Sequence, residues 1–165
     1  VAEPTAHSSI DIAAPPELVY RIVSDVTGLP EWAEETERCV WLGGATGPAV
    51  GAQFRGVNRH KGRRWAMKCT VTEATEDPQR CRFAFQVSLL GVPTAVWSYD
   101  IEATERGCRV TESTRRLAPD LPTKLVNRYL LGVPDRDRHN QRNIERTLQR
   151  LKEYAERQAA NSADV

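Results

Sequence analysis

The stretch from Ser8 to Trp32 constrains this chain's fold more tightly than any other. Ile10 and Ile12 alternate with Asp11, the period-2 pattern of a half-buried strand. Pro15 and Pro16 cannot continue a ladder, because neither offers a backbone N–H. Both suit the first turn of a helix, where none is needed. Leu18, Val19, Ile22, Val23 and Val26 follow at helical spacing, so one face of that helix must be buried against later elements. Gly28-Leu29-Pro30-Glu31-Trp32 interrupts it, and the helical pattern then continues briefly to about Glu35.

With 165 residues the chain reads as one domain over 1–165, with a core at about 7–157 and flexible tails at 1–6 and 160–165. A domain of this size buries about 70% of its unfolded-chain surface. Its 23 basic and 22 acidic residues nearly cancel, which excludes the broad electrostatic footprint of a nucleic-acid binder. No apolar run approaches the roughly 20 residues of a membrane-spanning helix. No secretory leader is visible before His7, so the expectation is a cytoplasmic protein without integral membrane association. Arginine dominates the basic residues, a composition that fits a GC-rich bacterial genome. Cys39, Cys69, Cys81 and Cys108 are widely spaced and form no close ligand pair, so they read as small buried hydrophobes.

A second strand over 37–42 leads into a Gly/Pro-containing loop that ends near Gly51. From there strand follows strand: 52–59, 64–74, 80–89, 94–103 and 108–117. The turns between them are short, including His60-Lys61-Gly62-Arg63 and Leu90-Gly91-Val92-Pro93, which predicts an antiparallel meander. Lys124 to Leu131 reads as a short helix that ends at Gly132-Val133-Pro134. Asp135 or Asp137 then caps a long helix reaching about Ala159, with Ile144, Leu148, Leu151 and Ala155 as its apolar stripe.

Alternation assigns one face of the meander to the interior. Trp65, Met67, Cys69 and Val71 share a side of their strand, as do Cys81, Phe83, Phe85 and Val87. Trp97, Tyr99, Ile101 and Ala103 follow, then Cys108, Val110, Glu112 and Thr114. The opposite positions hold Arg64, Lys68, Arg82, Gln86, Asp100, Glu102 and Arg109, a wet face.

The order of elements is strand, two short helices, about six further strands and a terminal helix. With the Asp25…Pro30-x-Trp32 run, it resembles the helix-grip superfamily (START-like, or SRPBCC), and most of all its polyketide cyclase/dehydrase branch. The resemblance also rests on Gly51-Ala-Gln-Phe54-Arg-Gly56-Val-Asn58, on Trp65, on Trp97-Ser98-Tyr99 and on Val110-Thr111-Glu112-Ser113. It covers roughly residues 7 to 157. It implies an α+β fold, a curved antiparallel sheet of about seven strands wrapped around the long C-terminal helix, with a deep apolar cavity between them. Related proteins bind lipids, sterols, polyketides or plant hormones there, or catalyse cyclisation.

Glu112 is the sharpest candidate for chemistry, because alternation places its carboxylate among apolar side chains. Burial would raise its pKa and fit it as general base for an aldol-type cyclisation. The opposing expectation is that a basic residue or water satisfies it. Tyr99 offers a phenol to polarise a ketone, and Asn58 shares its face with Phe54 and Gly56, where its amide would orient a carbonyl. Phe54, Trp65, Met67, Phe83, Phe85 and Trp97 are the expected ligand-contacting walls of the sheet, with Ile144 and Leu148 from the helix. His7, His60 and His139 fall at a terminus, a hairpin turn and a helix start, apart from any Ser or Cys partner. No nucleotide or metal motif is present, so neither a cofactor nor a metal is expected. Arg138, Arg142, Arg146 and Arg150 read as a solvated helix face. The apolar hairpin tip at Leu89–Pro93 is expected to frame a cavity mouth with residues 121–131, or else to pack on them or on a second subunit.

The resulting expectation is a protein, monomeric or homodimeric, that binds a hydrophobic small molecule of lipid or polyketide type. The alternatives are an aromatase/cyclase or dehydratase, and a protein-interaction module whose cavity is filled by side chains. A Glu112–Tyr99 pair converging within hydrogen-bond reach inside the cavity distinguishes the enzyme from the simple binder, and a cavity below about 300 Å³ would weaken both ligand readings against the filled module.

Overall fold

The computed structural model describes residues 2–117 and 135–164. Seven strands form one antiparallel sheet in the order β1-β7-β6-β5-β4-β3-β2. They are β1 (Ala6–Ile12), β2 (Thr36–Leu42), β3 (Gln53–His60), β4 (Arg63–Thr75), β5 (Arg80–Leu89), β6 (Val92–Thr104) and β7 (Gly107–Arg116). Helix α1 (Pro16–Ser24) and a 3-10 helix (Val26–Glu31) intervene between β1 and β2, and helix α2 (Arg136–Ala163) closes the chain. This is the helix-grip arrangement, a curved open sheet with a long C-terminal helix. The predicted short helix within 124–131 and the partner segment of the hairpin tip lie outside the described residues.

The opening stretch folds as its pattern dictates. Pro16 starts α1, Val19 and Val23 are fully buried, and Asp25 accepts a hydrogen bond from Thr27 N at 3.2 Å to cap the 3-10 helix. The helical pattern stops sooner than expected. Trp32 is completely buried, and Glu34 N donates to Thr147 Oγ1 of α2 at 3.2 Å. Glu35 then pairs with β3, its carbonyl accepting from Arg59 N at 2.8 Å. Tertiary anchoring of both kinds pulls 33–35 out of helix.

Register shifts at Thr36/Arg38, Val71/Glu73 and Val87/Ser88 mark irregularities of the bulge kind, which bend a sheet and increase its twist. Three tight connections keep the meander compact. Lys61-Gly62 and Leu90-Gly91 are two-residue turns with positive φ at both positions, the geometry that matches the twist of a hairpin. At Gly107, φ is +149°, and an added Cβ would lie 2.2 Å from the Ile12 carbonyl oxygen, so only glycine lets β7 begin against the end of β1.

Asp135 caps α2, accepting from Arg138 N at 3.1 Å. Ile144, Leu148, Leu151 and Ala155 are at most 1% exposed and join one core with Val19, Val23, Phe54, Phe83 and Val110. The helix packs chiefly on β1 and β7. All four cysteines are free and buried. Among the described residues no helix is long and apolar enough to cross a membrane.

Candidate functional site

Glu112 and Tyr99 face each other across β6 and β7 as directly paired residues. Both are 3% exposed, and the Tyr99 hydroxyl donates to Glu112 Oε1 at 2.8 Å. The expected alternative, a basic partner for Glu112, is replaced by this phenol. Trp32 closes over the pair, its ring edge-on to Tyr99 with centroids 5.9 Å apart. Burial pushes the Glu112 carboxyl up to about 8, against the opposing pull of the Tyr99 hydrogen bond. Burial also drives the Tyr99 phenol well above its ordinary range, and the adjacent Glu112 adds to the effect. At neutral pH the carboxyl is therefore mostly protonated. In that state it can donate a hydrogen bond, and base chemistry would need loss of the proton.

With Oε1 taken by Tyr99, the second oxygen Oε2 is buried without a partner among the described residues. Among the same residues Trp32 Nε1, Thr114 Oγ1 and Asn140 Oδ1 are buried and unpartnered as well. Polar atoms in a protein interior are seldom left in that condition, and a ligand group is one thing that satisfies them.

The remaining sequence candidates divide. Phe54, Phe83, Ile144 and Leu148 are completely buried in the core, and Phe54 stacks edge-on with Phe85 at 5.1 Å. Trp97 is half-buried against the same core. Trp65 is buried beneath the Arg136 guanidinium, 5.8 Å from its ring centre. Met67 is half-buried and lines a cleft of about 280 Å³ beside Leu42, Ala66 and Leu90. Asn58 is half-buried on β3, with three strands between it and β7, and its amide makes no hydrogen bond to Glu112 among the described residues.

A second polar cluster sits where the chain connections meet, and reading the histidines as isolated is corrected by it. Glu35 precedes β2, His60 ends β3 and His139 lies in the first turn of α2. Glu35 Oε1 is 3.2 Å from His60 Nδ1 and in hydrogen-bond contact with His139 Nε2. The two imidazoles meet edge-on, 4.5 Å between centroids. Burial holds His60 below the usual histidine range, opposed by the charge of Glu35. The three side chains line a polar cleft of about 690 Å³, with Arg59, Arg142 and Arg146 on its walls. Arg146 and Arg150 both reach Glu34, so the arginine face of α2 is partly tied down rather than freely solvated. Neither cleft is lined by Glu112 or Tyr99.

The sequence model of polyketide cyclases, dehydrases and lipid transport proteins matches residues 3–156. The chain belongs to that family. No curated protein matches its sequence. Among solved structures, the polyketide-cyclase-like protein Cgl2372 from Corynebacterium glutamicum is 29% identical, with a TM-score of 0.59 over 92% of this chain and 91% of its own. Protein jhp0584 from Helicobacter pylori superposes with a TM-score of 0.70 at 10% identity, covering 91% of this chain and 86% of the other. The chain also matches 45% of the di-domain aromatase/cyclase BexL of the BE-7585A biosynthetic pathway, at 21% identity, 90% of this chain and a TM-score of 0.61. At those last two identities the likeness is one of fold.

Membership in the polyketide cyclase/dehydrase family supports a polyketide-related binding or cyclase role. The sequence held one unused signal for the second cluster. Phe54, Gly56 and Asn58 share a face of β3, and one further step along the strand puts His60 on that face.

Proposed function

We propose that this chain holds a hydrophobic, carbonyl-bearing small molecule, of polyketide or lipid type, against the inner face of its sheet. The carrying observation is the buried Tyr99–Glu112 pair, joined at 2.8 Å with Glu112 Oε2 left over. A neutral carboxyl whose first oxygen accepts from a phenol can carry its own proton on Oε2, as a donor to a ligand carbonyl. Phe83, Phe85, Phe54 and the α2 residues Ile144 and Leu148 supply the apolar surroundings.

A second reading, turnover of the bound molecule, is supported by the same carboxyl and by its convergence with Tyr99, the feature expected of an enzyme. A group with a pKa pushed up to about 8 exchanges its proton readily near neutrality, the property wanted in a general acid–base of cyclisation or dehydration. In that reading Glu112 protonates a developing enol oxygen and Tyr99 holds the carboxyl in place.

Organic extraction of protein purified from its native host, followed by mass spectrometry, tests the binding. Titration of tryptophan fluorescence with an anthraquinone and with a fatty acid gives a second measure. Saturable binding that Glu112→Ala weakens about tenfold or more, a loss of about 1.4 kcal/mol, supports the proposal. Absence of any bound small molecule, with a protein partner recovered instead, replaces it by the interaction-module reading.

A further inference from the structure

The cluster of Glu35, His60 and His139 is separate from the Tyr99–Glu112 pair, and the polyketide or lipid reading makes no use of it. We propose that these three side chains form a binding site for a divalent transition-metal ion of the Zn²⁺ class, with a further coordination position open to the polar cleft.

The argument is one of donor chemistry and placement. Two neutral imidazoles and one carboxylate are a donor set used for catalytic zinc and for non-haem iron. The three ligand atoms, Glu35 Oε1, His60 Nδ1 and His139 Nε2, lie within 4.8 Å of one another. Ligands at about 2.0–2.2 Å from a tetrahedral ion stand about 3.3–3.6 Å apart. The 3.2 Å between His60 Nδ1 and Glu35 Oε1 is close to that spacing. Glu35 Oε1 and His139 Nε2, in direct hydrogen-bond contact, have to separate to share the ion.

The frame around the donors is fixed by the fold rather than by the cluster itself. Glu35 is held on β3 by its carbonyl bond from Arg59 N at 2.8 Å, and its neighbour Glu34 is tied to Thr147 and Arg150 of α2. His60 is set by the tight Lys61-Gly62 turn, and His139 by the Asp135-capped start of α2. Side-chain exposure is 7% for Glu35, 17% for His139 and 21% for His60, so the donors are shielded yet reachable from one side. That side is the cleft of about 690 Å³, whose walls carry Arg59, Lys61 and Arg142. Glu34 and Glu37 stand on the same walls, so this mixed lining favours water as the outer ligand of a bound ion.

The test uses the full chain, free of any affinity tag and stripped with a chelator, titrated with Zn²⁺ by calorimetry and with Co²⁺ by visible absorption. One Zn²⁺ per chain is expected, and a Co²⁺ ligand-field band without thiolate charge transfer, which excludes the buried cysteines. His60→Ala and His139→Ala are each expected to weaken Zn²⁺ by about 100-fold or more, at or above the range for losing an outer-shell partner. His7→Ala leaves binding unchanged. In the unsubstituted protein, NMR of the histidine ring nitrogens upon Zn²⁺ addition reads the ligands directly and needs no variant to fold. Shifts at His60 Nδ1 and His139 Nε2 support the site. No saturable uptake, a thiolate-dominated Co²⁺ spectrum, or uptake that leaves both ring nitrogens unmoved overturns it.

Discussion

The protein carries two carboxylate-centred clusters, and they differ in almost every physical respect. Glu112 and Tyr99 face each other on neighbouring strands, buried from water, with a carboxyl that burial pushes up to about 8. Glu35, His60 and His139 come from three distant parts of the chain and meet at the edge of a wet cleft. In the first, the cost of desolvation decides the protonation state. In the second, the carboxyl contacts two imidazoles and faces a water-accessible cleft. Dry and wet carboxylates in one small fold are thereby suited to different partners, a neutral carbonyl in one case and a cation in the other.

The largest expected effect tests the dryness of the first cluster. Glu112 has a folded pKa of about 8 against an ordinary value of 4.5, so the folded state binds the proton more tightly than the unfolded one. Its contribution is fully present below about pH 4.5 and is lost as pH rises to about 8. The difference between those two values corresponds to at most about 5 kcal/mol. Glu112→Gln is expected to abolish that slope, so that it unfolds at higher urea than the wild type at pH 9 and at similar urea at pH 5. An unchanged slope would show that water reaches the carboxylate and that the contrast with Glu35 is false.

Ile144→Ala asks whether the clusters share a scaffold. The residue is completely buried on α2, the helix that also carries His139. A loss of about 2–5 kcal/mol is expected from denaturant unfolding. NMR signals of both Tyr99 and His139 are expected to move. Movement of only one would show the two sites to be mechanically independent.

Tyr99→Phe is expected to cost about 1–2 kcal/mol, since it strands Glu112 Oε1 without a donor. It should also raise the Glu112 pKa further, because the lost hydrogen bond favoured the ionised form. The carboxyl resonance followed by NMR against pH measures this. A lowered value would mean that the phenol is not the donor. The smallest effect belongs to the wet side. Arg64 and Glu37 form a two-pronged pair with side chains 59% and 37% exposed at the cleft rim. Arg64→Ala should change stability by less than about 1 kcal/mol.

How each cluster could be read from the chain follows from where its residues lie. Glu112 was legible because a strand's period of two is rigid, and an acid in phase with Cys108, Val110 and Thr114 has nowhere to go but inward. The α2 stripe and the meander were legible on the same grounds. Tyr99 was visible as a neighbour in type, but its pairing with Glu112 depended on the β6–β7 register, which the Glu105-Arg106-Gly107 turn sets. The wet cluster was legible only in part. The β3 alternation reaches His60, but Glu35 lies where helix was expected and extended backbone occurs. No local spacing links either of them to His139. Only the closing of α2 over the segment before β2 brings the three together.

The pairing of the first strand with the last has a consequence for how the molecule comes into being. Ser9 and Thr111 are 102 residues apart in the chain, yet their hydroxyls lie 2.7 Å apart, and Ser8 stands opposite Glu112. Contacts of such long range carry a large loop-closure cost and are slow to form. During synthesis the first strand must wait as a bare edge until the seventh has left the ribosome. Glu112 lies on that last-formed seam, so its burial cannot be complete before the two ends of the sheet have met.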